Sequence, residues 1–289
     1  MSLAVLMCPS VASMAFVPEK LDRGTVAVKT PEGIFIGWRS LSTDGDSTFF
    51  DLYRDGEKIN PKPLSVTNWV DKEGTPTSQY VVRTLCGGKE IENSRPVTPW
   101  AQPYMRIHLN RPAGGVTPPF HAVNRGRELD RPNGEPYQYF PGDCSVGDVD
   151  GDGQYEIVLR WDPSNSRDNS FGGCTGEVYL DCYKLDGTQL WRINLGRNIR
   201  AGAHYTQFMV YDLDGDGRSE VACKTAPGTI DGAGQYVLLN GDDPQADYRT
   251  PVGDNVVGTI MAGPEYLTGF AGESGAALAT VPYQPGRDI

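Results

Sequence analysis

Two short acidic stretches carry the clearest chemical signal in the chain. Asp148-Val-Asp-Gly-Asp-Gly153 recurs as Asp212-Leu-Asp-Gly-Asp-Gly217, 64 residues later, and each copy runs on through two residues to a glutamate, Glu156 or Glu220. Carboxylates at alternate positions, with glycines that let the backbone curl around them, form an oxygen cage for a hard cation, most often Ca²⁺. Counting from the first aspartate, positions 1, 3 and 5 are Asp148, Asp150 and Asp152 in one loop and Asp212, Asp214 and Asp216 in the other. Position 7, Gln154 or Arg218, offers a backbone carbonyl, and position 9 is Glu156 or Glu220. An EF-hand would place a bidentate glutamate at position 12 of a loop running into a helix. Here position 12 is Leu159 or Cys223, inside an apolar strand pattern. Both loops are therefore read as β-linked calcium sites. Such ions can clamp turns whose carboxylates would otherwise repel, or they can touch a substrate carboxylate directly.

The elements that must hold these loops are strands. Glu156-Ile-Val-Leu-Arg-Trp161 and Glu220-Val-Ala-Cys-Lys-Thr225 follow the acidic loops, and the 64-residue offset aligns Arg160 with Lys224 and Pro163 with Pro227. A strand-turn-strand pattern comes next in each unit, at Tyr179–Trp191 and more loosely at Tyr266–Leu278. Repeated antiparallel units of this kind are the signature of propeller blades. The Gly/Asp/Pro stretch from Gly241 to Asp254 reads as an insertion at a blade edge. Upstream, Gly33–Trp38 and Phe49–Arg54 alternate apolar and polar residues, and Asp55-Gly56 supplies a hairpin turn. With Lys58-Ile59, Asn68-Trp69-Val70 and Tyr80–Arg83, they resemble a fibronectin type III-like sandwich. The expected fold is all-β: residues 1–20 signal-like, 21–110 a fibronectin type III-like β-domain, 111–141 a linker, and 142–289 the first, incomplete set of blades of a calcium-binding β-propeller.

Bulk composition excludes some partners. The 289 residues carry 37 acidic against 26 basic side chains, a formal net charge of −11, with no basic stripe for nucleic acid. Gly 35, Pro 22 and Tyr 14 suit a turn-rich β protein. The apolar start, Leu3 to Ala15, ends in small residues like the core and cleavage site of a secretory signal, although it has no basic leader; the alternative is an apolar first strand. No other stretch approaches membrane-spanning length. A secreted or periplasmic monomer is expected. Of the six cysteines, Cys8 lies in the signal-like segment; Cys174 and Cys182 could pair, or could be buried thiols.

Longer strings add a resemblance. Arg160-Trp-Asp-Pro-Ser-Asn-Ser-Arg-Asp-Asn169, Leu190–Gly196, Asn198–Phe208, Lys224–Gly232 and Gly263-Pro-Glu-Tyr-Leu-Thr268 resemble the rhamnogalacturonan lyases of polysaccharide lyase family 11. The resemblance implies an N-terminal β-domain and an eight-bladed propeller with several calcium ions. It also implies cleavage of rhamnogalacturonan I, the alternating rhamnose and galacturonate polymer of pectin, by β-elimination. Members of that family run to about twice this length, so the chain is expected to be the front portion of such an enzyme.

β-Elimination requires that the uronate charge be neutralised, that a base take the C5 proton, and that the departing C4 oxygen be assisted. The resemblance makes Lys224 the first cationic candidate, with Arg200 and His204, which flank a small Ala-Gly-Ala stretch, as further catalytic candidates. Asn165 and Asn169 are candidates for binding sugar hydroxyls, and Trp161 and Tyr205 for stacking. Each has a plainer reading. In it Lys224 and Arg160 pair with loop carboxylates, His204 is a hydrogen-bonded structural group, the asparagines are turn residues, and the aromatics are core. A non-catalytic, calcium-stabilised glycan-binding or adhesive propeller is the alternative function, and a hydrolase acting through a carboxylic pair is a weaker third.

Overall fold

The computed structural model describes residues 20–202, 206–251, 253 and 256–287. The signal-like segment thus lies almost wholly outside the described residues, as do His204 and Tyr205. Among the described residues there are nineteen strands and no helix.

The first seven strands are β1 (Val26–Thr30), β2 (Gly33–Gly37), β3 (Thr48–Arg54), β4 (Glu57–Lys58), β5 (Asn68–Asp71), β6 (Tyr80–Cys86) and β7 (Lys89–Asn93). They form two antiparallel sheets, ordered β1-β2-β5 and β4-β3-β6-β7. The alternation in the sequence explains the packing. Ala27, Ile34, Ile36 and Trp38 from one sheet meet Phe50, Leu52, Tyr80 and Val82 from the other in one buried cluster. Asp55 and Gly56 both have positive φ, at 52° and 89°, which is the backbone that a two-residue hairpin turn between β3 and β4 requires.

Residues 111–141, expected to be a linker, carry two short antiparallel pairs. β8 (Gly115–Val116) pairs with β11 (Pro136–Tyr137), and β9 (Phe120–Asn124) with β10 (Arg127–Arg131). Phe120 and Ala122 are buried with Cys174 and Val257, so this hairpin packs on the later part of the chain.

Two four-stranded antiparallel sheets follow. One is β12 (Tyr139–Gly147), β13 (Glu156–Pro163), β14 (Tyr179–Tyr183) and β15 (Gln189–Asn194); the other is β16 (Phe208–Tyr211), β17 (Glu220–Thr225), β18 (Tyr266–Phe270) and β19 (Ala277–Pro282). In both, neighbours in sequence are neighbours in the sheet. Val158, Leu180, Cys182, Trp191 and Ile193 of the first pack with Val221, Cys223 and Phe270 of the second. The approach is close: a side chain at Gly147 would come within 2.5 Å of Ser219 Oγ. The second sheet departs from a strict repeat, because residues 226–265 separate β17 from β18 whereas only 164–178 separate β13 from β14. Cys174 and Cys182 are free thiols in different core clusters, so the pairing considered from sequence is not formed.

Candidate functional site

Each acidic loop occupies the turn between the first two strands of its sheet, β12 to β13 and β16 to β17. The first aspartate organises the turn. Asp148 accepts the N–H groups of Gly151, Asp152 and Gly153 at 2.8, 3.1 and 2.9 Å, and Asp212 accepts those of Gly215, Asp216 and Gly217 at 2.6, 3.2 and 3.0 Å. The glycines are required by geometry: Gly151, Gly153, Gly215 and Gly217 all have φ between 75° and 93°. Asp150 and Asp214 accept the N–H two residues on, each at 3.1 Å. Glu156 and Glu220 reach back to the N–H of Val149 and Leu213 at 3.0 and 2.8 Å.

These bonds bring three carboxylates together twice. One oxygen from each of Asp148, Asp150 and Glu156 lies within 4.8 Å of the others, and so do oxygens of Asp212, Asp214 and Glu220. Either cluster could hold a metal ion. Their electrostatics are those of crowded, desolvated carboxylates. Burial pushes the Glu156 carboxyl up to about 7, with the neighbouring aspartates adding to the rise, and burial likewise raises Glu220 and Asp148. A divalent cation among such groups removes both the crowding of charge and the desolvation penalty. Asp152 and Asp216 lie outside the three-carboxylate clusters; each accepts the next-but-one N–H, of Gln154 or Arg218, at 2.9 and 2.8 Å. The loops also touch one another, since Ser219 N–H donates to the Asp148 carbonyl at 2.8 Å.

The residues proposed for sugar chemistry separate into groups. Asn169, Arg200 and Lys224 line one cavity of about 480 Å³, together with Glu265 and Arg287. Glu265 receives both basic side chains, Lys224 Nζ at 2.8 Å and Arg287 Nε at 3.0 Å. Among the described lining residues the cavity presents three cations, Arg200, Lys224 and Arg287, against one carboxylate, Glu265, a local reversal of the chain's acidic balance. Arg200 is buried, with its guanidinium donating to the carbonyls of Phe171 and Gly173 and to that of Asp168 at 3.4 Å; this pins the loop that carries Asn169. Asn165 is not at the cavity. It is buried, and its carbonyl oxygen accepts Gly176 N–H at 3.0 Å. Trp161 is core, its indole donating to Asp181 at 2.7 Å.

Arg160 and Lys224 do not pair with the acidic loops, as one reading of the sequence had it. Arg160 forms ion pairs with Asp143 and Asp162 at 3.1 and 2.9 Å, and Lys224 with Glu265, both side chains lying four residues along their strands from the loop glutamates. Glu265 and Arg287 were not singled out from sequence. For Glu265 a signal was present, in the Gly263-Pro264-Glu265-Tyr266 string; for Arg287 there was none.

Comparison with known proteins decides the family. A model described as the C-terminal domain of rhamnogalacturonan lyase family 11 matches residues 104–289. The chain belongs to rhamnogalacturonan lyase family 11. A second match, to the β-sheet domain of rhamnogalacturonan I lyases, covers residues 17–100. Among curated relatives, a rhamnogalacturonan endolyase, YesW of Bacillus subtilis, is 54% identical over 93% of this family 11 chain. A rhamnogalacturonan exolyase of the same organism, YesX, is 52% identical over 93% of it. The crystal structure of the exotype lyase YesX matches with a TM-score of 0.83 at 51% identity, over 94% of this chain and 41% of that one. A rhamnogalacturonan lyase structure from Bacillus licheniformis matches at 0.82 and 49%, over 94% and 43%. The chain spans 40% of the length of the curated relatives it matches.

Proposed function

We propose that the protein acts as a rhamnogalacturonan I lyase, opening the rhamnose–galacturonate backbone by β-elimination, with the activity belonging to an assembly longer than these 289 residues. The observation that carries this reading is the cation-lined cavity at the end of β17 in a family 11 chain. Lys224 and Arg287 are already held by Glu265, so their roles are those of cations rather than bases. A uronate carboxylate entering the cavity is neutralised by them, which acidifies the C5 proton. Loss of that proton to a base, with the electron pair forming C4=C5 and the C4–O bond breaking as the departing oxygen takes a proton from an acid or water, leaves an unsaturated uronate and a free hydroxyl on the leaving sugar. His204 is our candidate for the proton transfer, Asn169 for a sugar hydroxyl, and Arg200 for positioning the loop of Asn169.

The acidic clusters are read as Ca²⁺ sites, with Asp152, Asp216 and the carbonyls of Gln154 and Arg218 completing the oxygen shell. Bound there, the ion supplies positive charge that holds the loop closed. The two four-stranded sheets are read as the first blades of a propeller. Supporting this, Met209, Tyr211, Leu267 and Val281 share one face of the second sheet by register and stay 43–53% exposed, an apolar face that a further sheet would cover. The separate matches to 17–100 and 104–289 support a division into an N-terminal sandwich and a propeller portion. No helix among the described residues is long and apolar enough to cross a membrane, and we propose a secreted or periplasmic monomer.

The test is ultraviolet absorbance of unsaturated uronate released from rhamnogalacturonan I. It should be run on the chain alone and on the chain joined to the part of YesW that it does not cover. The joined protein is expected to generate the absorbance, and Lys224→Ala in it to reduce the rate by about 100-fold or more. Saturated products alone would point to a hydrolase, and tight binding without any cleavage to the non-catalytic glycan-binding reading.

A further inference from the structure

We propose that a second groove, between the N-terminal sandwich and the first four-stranded sheet, binds a short neutral oligosaccharide. This does not depend on the lyase reading. The groove has a volume of about 710 Å³, within the range of roughly 300–1,000 Å³ usual for small-molecule clefts. One wall is held by Trp100, whose backbone is fixed to the sheet edge: its N–H donates to the Ala27 carbonyl at 2.8 Å and its carbonyl accepts Lys29 N–H at 3.1 Å. Val146 of β12 and Tyr155 also line the groove. Val146 and the rim residue Met105 are 47% and 41% exposed. Arg39 lies over the Tyr155 ring, 4.6 Å from its centroid, and packs so closely on Gly24 that a side chain at that position would fall 2.4 Å from Arg39 Nε. Among the lining residues, the buried Thr25 Oγ1 and Arg39 Nη1 have no hydrogen-bond partner, leaving unmet capacity for a polar guest that parts the walls.

Charge decides the class of guest. Every cation here faces a carboxylate: Arg39 and Arg95 each approach Asp22 at 3.6 Å, Arg95 lies 3.9 Å from Asp152, and Lys184 lies 3.5 Å from Asp152. A uronate would bring an uncompensated negative charge beside Asp22 and Asp186, which lie outside the acidic loop. A neutral pyranose would not, and its shape fits. Its C–H face suits the Trp100, Val146 and Met105 surfaces, while its hydroxyls can both donate to carboxylates and accept from guanidinium groups. The cation-lined cavity has the opposite preference, so the two sites should sort sugars by charge.

The measurement is calorimetric titration of the intact chain, in calcium, with a neutral galactotetraose and with a tetragalacturonate. Thermal unfolding of each variant verifies that it is folded. Trp100→Ala should weaken galactotetraose binding by about tenfold or more, and Val146→Trp, which fills the groove, should do the same. Lys224→Ala should leave it unchanged. The proposal fails if galactotetraose does not bind, if neither groove variant alters its affinity, or if tetragalacturonate competes for the groove and is the ligand lost on Trp100→Ala.

Discussion

The acidic loops 148–156 and 212–220 have nearly the same sequence and nearly the same internal hydrogen bonds, yet they do not sit in the same electrostatic setting. Lys184, from the turn after β14, forms ion pairs with Asp150 and Asp152. Asp150 is the first contributor holding the Lys184 ammonium above its usual range. The first loop is also braced from outside by the sandwich: Asp22 N–H donates to the Gly153 carbonyl, and Arg95 to the Asp152 carbonyl. In the second loop no lysine or arginine among the described residues pairs with Asp212, Asp214, Asp216 or Glu220, and Arg218 turns away to Glu273 at 3.2 Å. One loop thus has a resident ammonium that would compete with a metal ion, and the other has no such partner among the described residues. Identical ligands need not give equal sites.

The largest expected difference comes from the organising aspartates. Asp148 is fully buried and accepts three N–H groups, so Asp148→Ala should lower stability in calcium by ~3 kcal/mol or more, read by urea unfolding. Asp212→Ala, at a position 6% exposed and reachable by water, should cost less. Equal losses would mean that burial does not distinguish the loops.

Calcium removal should come next. A free ion 100-fold above its Kd contributes about 2.7 kcal/mol, and chelation should lower the thermal midpoint accordingly. The effect should depend on pH. The folded-state carboxyl of Glu156 stands above its unfolded value, at about 7, so in the metal-free protein it adds stability that is complete below about 4.5 and lost as pH rises through about 7. Calcium expels that proton. The midpoint gap between calcium-loaded and chelated protein should therefore widen from pH 5 to pH 7.5, and a gap that narrows would refute the assignment.

Lys184→Ala should tighten calcium binding at the first loop by roughly two- to fivefold and leave the second unchanged, since a partly exposed ion pair is worth about 0.2–1 kcal/mol. Two-site calorimetry would resolve it, and equal tightening at both loops would break the comparison. The smallest effect should follow Arg218→Ala. Its ion pair with Glu273 is exposed on both sides, and a change within about 0.5 kcal/mol is expected at either loop.

Much of the local structure was legible. Asp55-Gly56 announces its turn because positive φ at consecutive positions favours few residue types. The aspartate-glycine loops announce theirs because their ligands and hydrogen-bond acceptors all lie within nine residues. The short pairs β8–β11 and β9–β10 were missed, since runs of two to five residues amid Pro, Gly and Arg give no period to read. The 64-residue repeat also fails beyond β17, where the longer connection to β18 breaks the offset and contributes residues to the cation-lined cavity.

The sequence by itself determined the carboxylate clusters, the all-β architecture and the family. All of these are encoded in short-range spacing or in long, unusual strings. Only the tertiary structure decided which cations meet which carboxylates. Lys184 reaches Asp150 from the end of the sheet's third strand, and Arg287 meets Lys224 through Glu265, across 63 residues of chain. Such pairings depend on where sheet packing and loop paths bring distant side chains, and Coulomb attraction over a few ångströms leaves no periodic mark on the sequence.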